Sequence, residues 1–243
     1  MEMEKVLEKN RTMHHLMQKA TVDALDFQHA TEELRSVLQC SVYIMNQSGE
    51  LLGFSDTETM QIFSRKELED KQCSKDNQEW IFSVRQPMYN QWHNGNCLAL
   101  LPIVNQSEQL GMLICGREQE EFSVEGQLLA EYAATLAAVM MIRAASRKAE
   151  TEARKKNVVQ LALEVLSYSE LEAVKYIFNE IDGSEGFLVA SKLAEEYKLT
   201  RSVIVNALRK LESAGVIDAR SLGMKGTYIK ILNDYLYEEL AAI

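Results

Sequence analysis

Small polar and cationic side chains recur along one face of a predicted helix over residues 201–213, and they are of the types that contact DNA. Ser202, Asn206 and Arg209 are spaced by four and three residues, which places them on one side of a helix. Lys210 flanks this face. Such a face can hydrogen-bond to base edges and neutralise phosphate groups. The opposite face is apolar and consists of Ile204, Ala207, Leu208 and Leu211.

The elements around this helix predict a winged helix-turn-helix. A shorter amphipathic segment over residues 190–197 precedes it, and Thr200 is a good N-cap for the second helix. Two short predicted strands follow, Val216–Arg220 and Thr227–Leu232. They enclose a glycine-flanked hairpin that carries Lys225 at its tip. Two helices joined by a tight turn and followed by such a wing are typical of DNA-binding domains.

The distribution of charge supports the same interpretation. The whole chain of 243 residues has a formal net charge of −10, which by itself argues against a nucleic-acid partner. Residues 187–231, however, contain eight Lys/Arg and four Asp/Glu, a net charge of +4. Residues 1–186 contain 18 basic and 29 acidic side chains, a net charge of −11. Screening by salt limits the charges that a DNA phosphate senses to those within roughly 10 Å. The surplus of positive charge in residues 187–231 therefore matters more for DNA binding than the net charge of the whole chain. We assign Lys192 to the basic surface of this region.

Other kinds of chemistry find no support in the sequence. The nucleophile, phosphate-loop and zinc-protease motifs of enzymes are missing, so we predict that the protein is not an enzyme and needs no cofactor. His14 and His15 are adjacent, and His29 and His93 stand alone, so we predict no metal site. The four cysteines form no C-x-x-C pair and are expected to be reduced. No apolar run approaches the length of a membrane span, so we expect no membrane partner and a cytoplasmic location.

The first half of the chain predicts an α+β domain in which helices cover an antiparallel sheet. Two strand pairs are separated by turns, and helical segments surround them. This order resembles a GAF or PAS-type ligand-sensing domain. The predicted helices cover 3–20 and 31–39, and the predicted strands are Ser41–Asn46, Leu51–Ser55, Cys97–Val104 and Leu110–Gly116.

A long helix is predicted from Ser123 to Leu166 without any breaker. Its middle, Arg143–Asn157, is charged all round, as in helices that bridge domains. We therefore predict a sensing and dimerisation domain at 1–145, a linker helix at 146–166 and a DNA-binding domain at 167–243. The first part of the helix carries one apolar stripe, formed by Val124, Leu128, Tyr132, Leu136, Val139 and Met140.

Three segments of the second half resemble the CodY family of bacterial transcriptional regulators. They are SYSELEA (167–173), LVASKLAEEYKLTRSVIVNALRKLESAGVI (188–217) and RSLGMKGTYIK (220–230). In the first half the resemblance is confined to the order of elements and to short fragments, LLGFS, LEDKQ, LAEYAAT and EARKK.

The resemblance implies a homodimer that binds an AT-rich palindromic operator on double-stranded DNA, mostly as a repressor of nutrient-responsive genes. It also implies a GAF domain that binds a branched-chain amino acid (isoleucine, leucine or valine) and, in some members, a response to GTP. The DNA-reading residues implied by the resemblance are Ser191, Arg201, Ser202, Asn206, Lys210, Ser221, Lys225 and Thr227.

The effector residues depart from the family's pattern. Phe63 and Ser64 stand where branched-chain-responsive members have an arginine and a methionine, and Glu67 replaces another methionine. Cys73–Ser74 replaces an aromatic–proline pair. A ligand carboxylate without a cation in an apolar pocket costs several kcal/mol. The candidate ligand-binding residues are therefore Phe63, Arg65 as a substitute cation, and Ala99 and Pro102 on the sheet.

The nucleotide site also departs from the pattern. In GTP-responsive members the first hairpin turn is rich in arginine and lysine, whereas residues 46–50 read NQSGE and add a carboxylate. Lys156 is the remaining candidate for nucleotide binding, so we expect the GTP response to be weak or absent. The alternative hypothesis is a ligand-independent or differently liganded DNA-binding regulator whose GAF domain is structural.

Overall fold

The computed structural model describes residues 2–22, 26–56, 62–93, 95–181, 183–223 and 226–243. The chain divides into two compact units, Met1–Ser146 and Arg147–Ile243. The first unit is an antiparallel sheet of five strands with helices on its faces. Its elements are α1 (Glu2–Val22), α2 (Phe27–Leu38), β1 (Ser41–Asn46), β2 (Leu51–Ser55), α3 (Arg65–Glu69), α4 (Lys75–Ser83), β3 (Met88–His93), β4 (Asn96–Asn105), β5 (Glu108–Glu118) and the first part of α5 (Val124–Glu164). The strands lie in the order β2-β1-β5-β4-β3.

The two faces of this sheet have separate hydrophobic cores because side chains alternate along each strand. On β1, Val42 and Ile44 belong to a large core shared with α1, α2 and α5. Tyr43 and Met45 point to the other face. There they belong to what we call the small core: Tyr43, Met45, Leu51, Phe63, Cys73, Ile81, Val84, Leu100, Met112 and Ile114, with Phe54, Ile62, Leu68 and Phe82 packed against it.

The predicted fold class is confirmed, and the four strands predicted for the first unit are present. Strand β3 was not predicted. Its sequence, MYNQWH, is polar and mostly exposed at the edge of the sheet, so it lacks the alternation of apolar residues that marks a half-buried strand. All four cysteines are free and buried.

Helix α5 is 41 residues long, and its predicted single apolar stripe is in fact two. Leu136 and Met140 are buried in the large core, whereas Leu128 and Tyr132 are exposed on another side of the helix. The sequence predicts no membrane span, because it contains no apolar run of sufficient length. An 18-residue window of α5 reaches a mean hydropathy of 1.5, so by length and composition alone this helix could cross a membrane, although half of that window is buried inside the protein.

The described part of the second unit contains the end of α5 and then α6 (Tyr168–Glu180), β6 (Glu185–Leu188), α7 (Ala190–Glu196), α8 (Arg201–Ser213), β7 (Ile217–Ser221), β8 (Thr227–Ile231) and α9 (Leu236–Ala241). The three strands form a small sheet in the order β6-β8-β7. Strand β6 and helix α9 were not predicted, because each is too short to show a periodic pattern.

A single carboxylate holds together the segment that covers the small core. Glu67 Oε2 accepts hydrogen bonds from the backbone N–H and the hydroxyl of Ser64, at 2.8 and 2.7 Å. Its Oε1 accepts from the Ser74 backbone N–H at 2.8 Å and from Asn77 Nδ2 at 3.0 Å. Glu67 therefore joins the start of α3 to the start of α4.

Burial by itself would raise the pKa of Glu67, but the hydrogen bonds from the Ser74 backbone and from the side chain and backbone of Ser64 outweigh it and lower the pKa to about 2. A carboxyl whose pKa is depressed in the folded state stabilises the fold above its unfolded pKa. That contribution is lost as the pH falls from the usual value of 4.5 toward 2.

We therefore predict that Glu67→Gln lowers the melting temperature at pH 7 and that this difference from the wild type shrinks as the pH falls from about 4.5 toward 2. Thermal unfolding followed by circular dichroism across this pH range measures the effect. Glu79→Gln, an exposed neighbour on α4, serves as the control and should match the wild type. A constant difference at every pH would contradict the role of the Glu67 charge.

Candidate nucleic-acid interface and sensor residues

Helix α8 presents the polar face that its sequence predicts. Thr200 caps the helix, since the Val203 N–H donates to Thr200 Oγ1 at 3.4 Å. Ser202, Asn206 and Arg209 are exposed. The residues predicted for the inner face, Ile204, Ala207, Leu208 and Leu211, are all buried. Burial on one side thus fixes which side chains α8 offers to solvent.

The turn between α7 and α8 sets the angle of this face. Lys198 adopts a left-handed backbone conformation with φ of 56°, and the Leu199 N–H donates to the Ala194 carbonyl at 2.9 Å. The ring of Tyr197 stacks on that of Tyr176 from α6, with centroids 3.9 Å apart. These contacts end α7 and hold it against α6 before α8 begins.

The wing is built around a glycine that no other residue could replace without strain. The Leu222 N–H donates to the Gly226 carbonyl at 2.8 Å, and Ser221 pairs with Thr227 across the two strands. Gly226 has a φ of 97°, and a side chain there would begin 2.4 Å from the Leu188 carbonyl oxygen on β6. Lys225, the predicted wing tip, lies outside the described residues.

A cleft of about 470 Å³ lies between the starts of α7 and α8 and the wing. It brings together four of the predicted DNA-binding residues, Ser191, Arg201, Ser221 and Thr227. Three hydroxyls and one guanidinium suit phosphate oxygens, which accept hydrogen bonds from both types of group. The complete lining is Val189, Ala190, Ser191, Arg201, Ser221, Gly223, Gly226 and Thr227.

Lys192 follows Ser191 on α7 and is exposed. Ser202, Asn206 and Arg209 continue from the cleft along the outer face of α8. We call the cleft lining together with these four residues the α8–wing surface.

Among the described residues, no group of three His, Cys, Asp or Glu side chains is arranged to hold a metal ion, and the predicted lack of a metal site stays a prediction.

Lys210 is not part of the α8–wing surface. Its ammonium lies 2.7 Å from Glu170 Oε2 and donates to the Val165 carbonyl at 3.1 Å. Glu170 is almost fully buried, and it also accepts from the Ser167 N–H at 2.7 Å. The hydrogen bond from Lys210 is the largest cause that lowers the pKa of Glu170. Lys210 therefore links α8 to the start of α6, and its predicted contact with DNA has no support from this geometry.

Lys156, the candidate nucleotide ligand, is also engaged. Its ammonium pairs with Glu238 at 2.9 Å and with Glu239 at 3.1 Å, both on α9. Gln160 donates to Glu239 as well, at 2.8 Å. The hydrogen bond to Glu238, followed by that to Glu239, raises the pKa of Lys156. The structure thus gives this lysine two carboxylate partners, and nucleotide binding by it stays a prediction without support.

The four predicted effector residues do not come together. Phe63 is buried in the small core, with its ring 5.0 Å from that of Tyr43. Arg65 has a side chain that is 91% exposed and pairs with Glu69 at 2.9 Å. Ala99 belongs to the large core on the opposite face of the sheet, and Pro102 lines a shallow surface groove beside α5. Their assignment to one ligand site stays a prediction.

Sequence reasoning missed the structural roles of Glu67 and Glu170. Both follow a serine by three residues, Ser64 and Ser167, and both complete a capping box at a helix start. The S-x-x-E pattern could have identified them.

Comparisons with known proteins identify relatives for both units. The family model described as the CodY GAF-like domain matches residues 5–165, and the one described as the CodY helix-turn-helix domain matches residues 184–242. The proteins called "Global transcriptional regulator CodY" from Clostridium perfringens (strain 13 / Type A) and from Clostridium beijerinckii are both 42% identical to this chain over 257 residues. Each alignment covers 99% of this chain and 100% of the relative.

Two solved GAF domains resemble part of the chain. The cofactor-binding GAF domain of the nutrient sensor CodY from Clostridium difficile has a TM-score of 0.42 and 20% identity, and the match covers 55% of this chain and 95% of that one. The GAF domain of a phosphoenolpyruvate-protein phosphotransferase from Coxiella burnetii has a TM-score of 0.46 and 16% identity, with 59% and 98% covered.

The contrast between Lys210 and Arg209 yields a prediction. Lys210→Met should lower the free energy of unfolding by about 1 kcal/mol, since it leaves the Glu170 carboxylate without its cation. The slope of log affinity for DNA against log salt should stay that of the wild type. The matched variant Arg209→Met should leave stability unchanged and reduce this slope by about one. Urea unfolding and fluorescence anisotropy at several salt concentrations measure both quantities, and a reduced slope for Lys210→Met would restore its predicted role at DNA.

Proposed function

The chain belongs to the CodY family, and on this premise we propose that it is a homodimer that binds an AT-rich palindromic operator, mostly as a repressor of nutrient-responsive genes. The family consists of global transcriptional regulators that combine a GAF-like sensor domain with a DNA-binding helix-turn-helix domain. The chain is therefore a transcriptional regulator, and the prediction that it is not an enzyme is confirmed. Because its target is chromosomal DNA, we propose a cytoplasmic location.

The α8–wing surface is the observation that carries this proposal. Arg201, Arg209 and Lys192 supply the positive charge that binds phosphates and makes binding depend on salt. Ser202 and Asn206 lie on the outer face of a helix that follows a tight turn, the position from which helix-turn-helix proteins contact base edges. The hydroxyls of the cleft add hydrogen bonds to phosphate groups, which position the DNA-binding domain on the duplex without reading its sequence.

We assign sensing and dimerisation to residues 1–145, a linker to residues 146–166 and DNA binding to residues 167–243, as the sequence predicts. A palindromic operator requires two heads related by a two-fold axis, so the dimer is part of the proposed mechanism. An exposed stripe on α5 within the first unit supports it. Leu128, Tyr132 and Ile142 are exposed along one side of the helix, with the partly buried Val139 between them at coiled-coil spacing. Such a stripe gains free energy when a second copy covers it.

The sensor domain is the part in which family resemblance and geometry diverge. The resemblance implies isoleucine, leucine or valine as the effector. By the resemblance, Phe63 stands where branched-chain-responsive members have an arginine, and in the structure it is buried in the small core. Arg65 is exposed and paired with Glu69. We therefore propose that the effector is a small metabolite and assign it no α-carboxylate contact. The pairing of Lys156 with Glu238 and Glu239 likewise favours a weak or absent response to GTP.

A second candidate function is a regulator that binds DNA without any ligand. The observation that favours it is the small core itself, in which Phe63, Cys73 and Ile81 are buried and pack as in a structural core. In that case the first unit serves dimerisation alone.

Readout of DNA sequence can be tested with Asn206→Ala. We expect it to weaken binding to an AT-rich palindromic duplex about tenfold, since one base-edge contact contributes about 1–3 kcal/mol. Binding to a scrambled duplex should change little. Anisotropy titrations of the full chain on both duplexes measure this difference, and Asn105→Ala, an exposed amide in the first unit, is the control. Equal losses on both duplexes would contradict direct readout by Asn206.

Dimerisation can be tested with two exposed leucines of α5. Leu128 is 52% exposed within the stripe, and Leu161 is 54% exposed on the same helix beyond it. We expect Leu128→Lys to convert the dimer to a monomer, because it puts a charge into the apolar contact, and Leu161→Lys to leave the dimer intact. Size-exclusion chromatography with light scattering measures the mass, and a wild-type chain that is monomeric, or an unchanged Leu128→Lys dimer, would contradict the proposed interface.

A further inference from the structure

Helix α9 and the residues directly before it are joined to α5 by a series of polar contacts. We call residues 233–240 the α9 segment. Asn233 Nδ2 donates to the Lys155 carbonyl at 2.9 Å, and the Tyr235 hydroxyl donates to the Glu152 carboxylate. Both acceptors lie in the part of α5 that the sequence predicts to be a charged linker. The α9 segment therefore contacts the linker itself.

The contacts continue along α5 to a buried carboxylate. Glu239 has a side chain that is only 9% exposed and lies 3.1 Å from the Lys156 ammonium, and it also accepts from Gln160 Nε2 at 2.8 Å. Lys156 pairs with Glu238 as well, at 2.9 Å. Gln160 lies eight residues beyond Glu152, so the polar contacts extend over about 12 Å of the helix.

The α9 segment is fixed on its other side to the elements that carry the α8–wing surface. The Tyr237 hydroxyl donates to the carbonyls of Ile181 and Gly183, at 3.0 and 2.9 Å, in the turn between α6 and β6. The backbone N–H of Asn233 donates to the Val216 carbonyl just before β7, at 3.2 Å. The segment thus connects α5 with both ends of the winged helix-turn-helix.

The polar contacts fix an arrangement that apolar packing alone would leave open. Leu236 and Leu240 are buried in the same hydrophobic core as Val159 of α5. Apolar contact is non-directional, so it would allow α9 to lie across α5 at other angles. Asn233 and Glu239 are buried polar residues, and such groups must keep their hydrogen-bond partners. Only one position of the segment on α5 satisfies both of them.

A fixed angle between α5 and the DNA-binding domain matters for a dimer on a palindrome. Adding one base pair between two half-sites separates them by about 3.4 Å more and rotates one against the other by about 35°. Helix α5 is continuous from Val124 to Glu164, and the proposed dimer contact lies on it. The angle at which α5 enters each DNA-binding domain therefore limits where the two domains can bind.

We propose that the α9 segment, through Asn233 and Glu239, fixes the direction in which α5 leaves the DNA-binding domain and so sets the half-site spacing that the dimer accepts. This inference rests on the proposed function, a homodimer on a palindromic operator. Asn233 and Glu239 are positioning residues that act through α5, and neither belongs to the α8–wing surface.

The spacing dependence of operator binding tests the proposal. Fluorescence anisotropy measures binding of the full chain to palindromic duplexes whose half-sites are moved by one base pair closer or by one or two base pairs apart, and to a duplex with a single half-site. For the wild type we expect an about hundredfold loss of affinity when the spacing no longer lets both domains bind. The double variant Asn233→Ala with Glu239→Ala should lose only about tenfold or less, because loosened domains can adjust. Its affinity for the single half-site should equal that of the wild type.

A matched control and a milder variant accompany this measurement. Asn179 and Asp234 are an exposed amide and an exposed carboxylate of the same unit, and changing both to alanine should leave the spacing dependence of the wild type. Glu239→Gln keeps an acceptor for Gln160 but loses the charge that Lys156 pairs with, so its effect should be smaller and in the same direction. Circular dichroism checks that each variant is folded, and the test is decided by Glu239→Gln alone if the double variant is not.

The outcomes separate this inference from the proposed function. A wild-type spacing dependence in the folded variants would overturn the positioning role while operator binding persists. Weaker binding of these variants to the single half-site would also overturn it, because the α9 segment would then serve the DNA-binding surface itself. A wild-type chain that does not prefer the palindrome, or whose affinity is independent of spacing, would instead overturn the proposed function.

Discussion

The alternation of side chains along β1, β4 and β5 is the constraint on which the first unit depends. Successive residues of a strand must face opposite sides of the sheet, so one short sequence such as Val42–Tyr43–Ile44 contributes to two different cores. The face covered by α1, α2 and α5 carries the large core. The other face carries the small core, which includes Tyr43. One sheet therefore supports two separate cores.

The same local device stabilises the start of a helix in each unit. A serine and a glutamate three residues later close a capping box at α3 and at α6, and in both places the glutamate bonds to a further element. Glu67 reaches α4 through Ser74, and Glu170 reaches α8 through Lys210. Carboxylates that the charge pattern presents as surface residues are thus the links between neighbouring helices. Each link orients a candidate functional element, the cover of the small core or the outer face of α8.

Much of this could be predicted from the sequence, because periodic burial determines helices and paired strands. The inner face of α8 and the four apolar strands follow directly from it. Strand β3 could not, since an exposed edge strand needs no apolar alternation, and β6 and α9 are too short to have a period. The direction in which the Lys210 side chain points could not be predicted from the sequence either. Its position on the helical wheel flanks the outer face, but a long flexible stem lets the ammonium reach a partner on either side, and Glu170 belongs to another helix.

The close approach of Gly226 to the Leu188 carbonyl has a consequence for how this head can diverge. Any side chain at this position would force β8 away from β6, so the frame of the cleft tolerates no change there. The side chains proposed to contact base edges, Ser202 and Asn206, are exposed on α8 and are under no such restriction from the backbone. Related proteins can therefore recognise different operators by exchanging these side chains while the backbone stays the same. A regulator of many genes can change its target preference in this way without losing its folded structure.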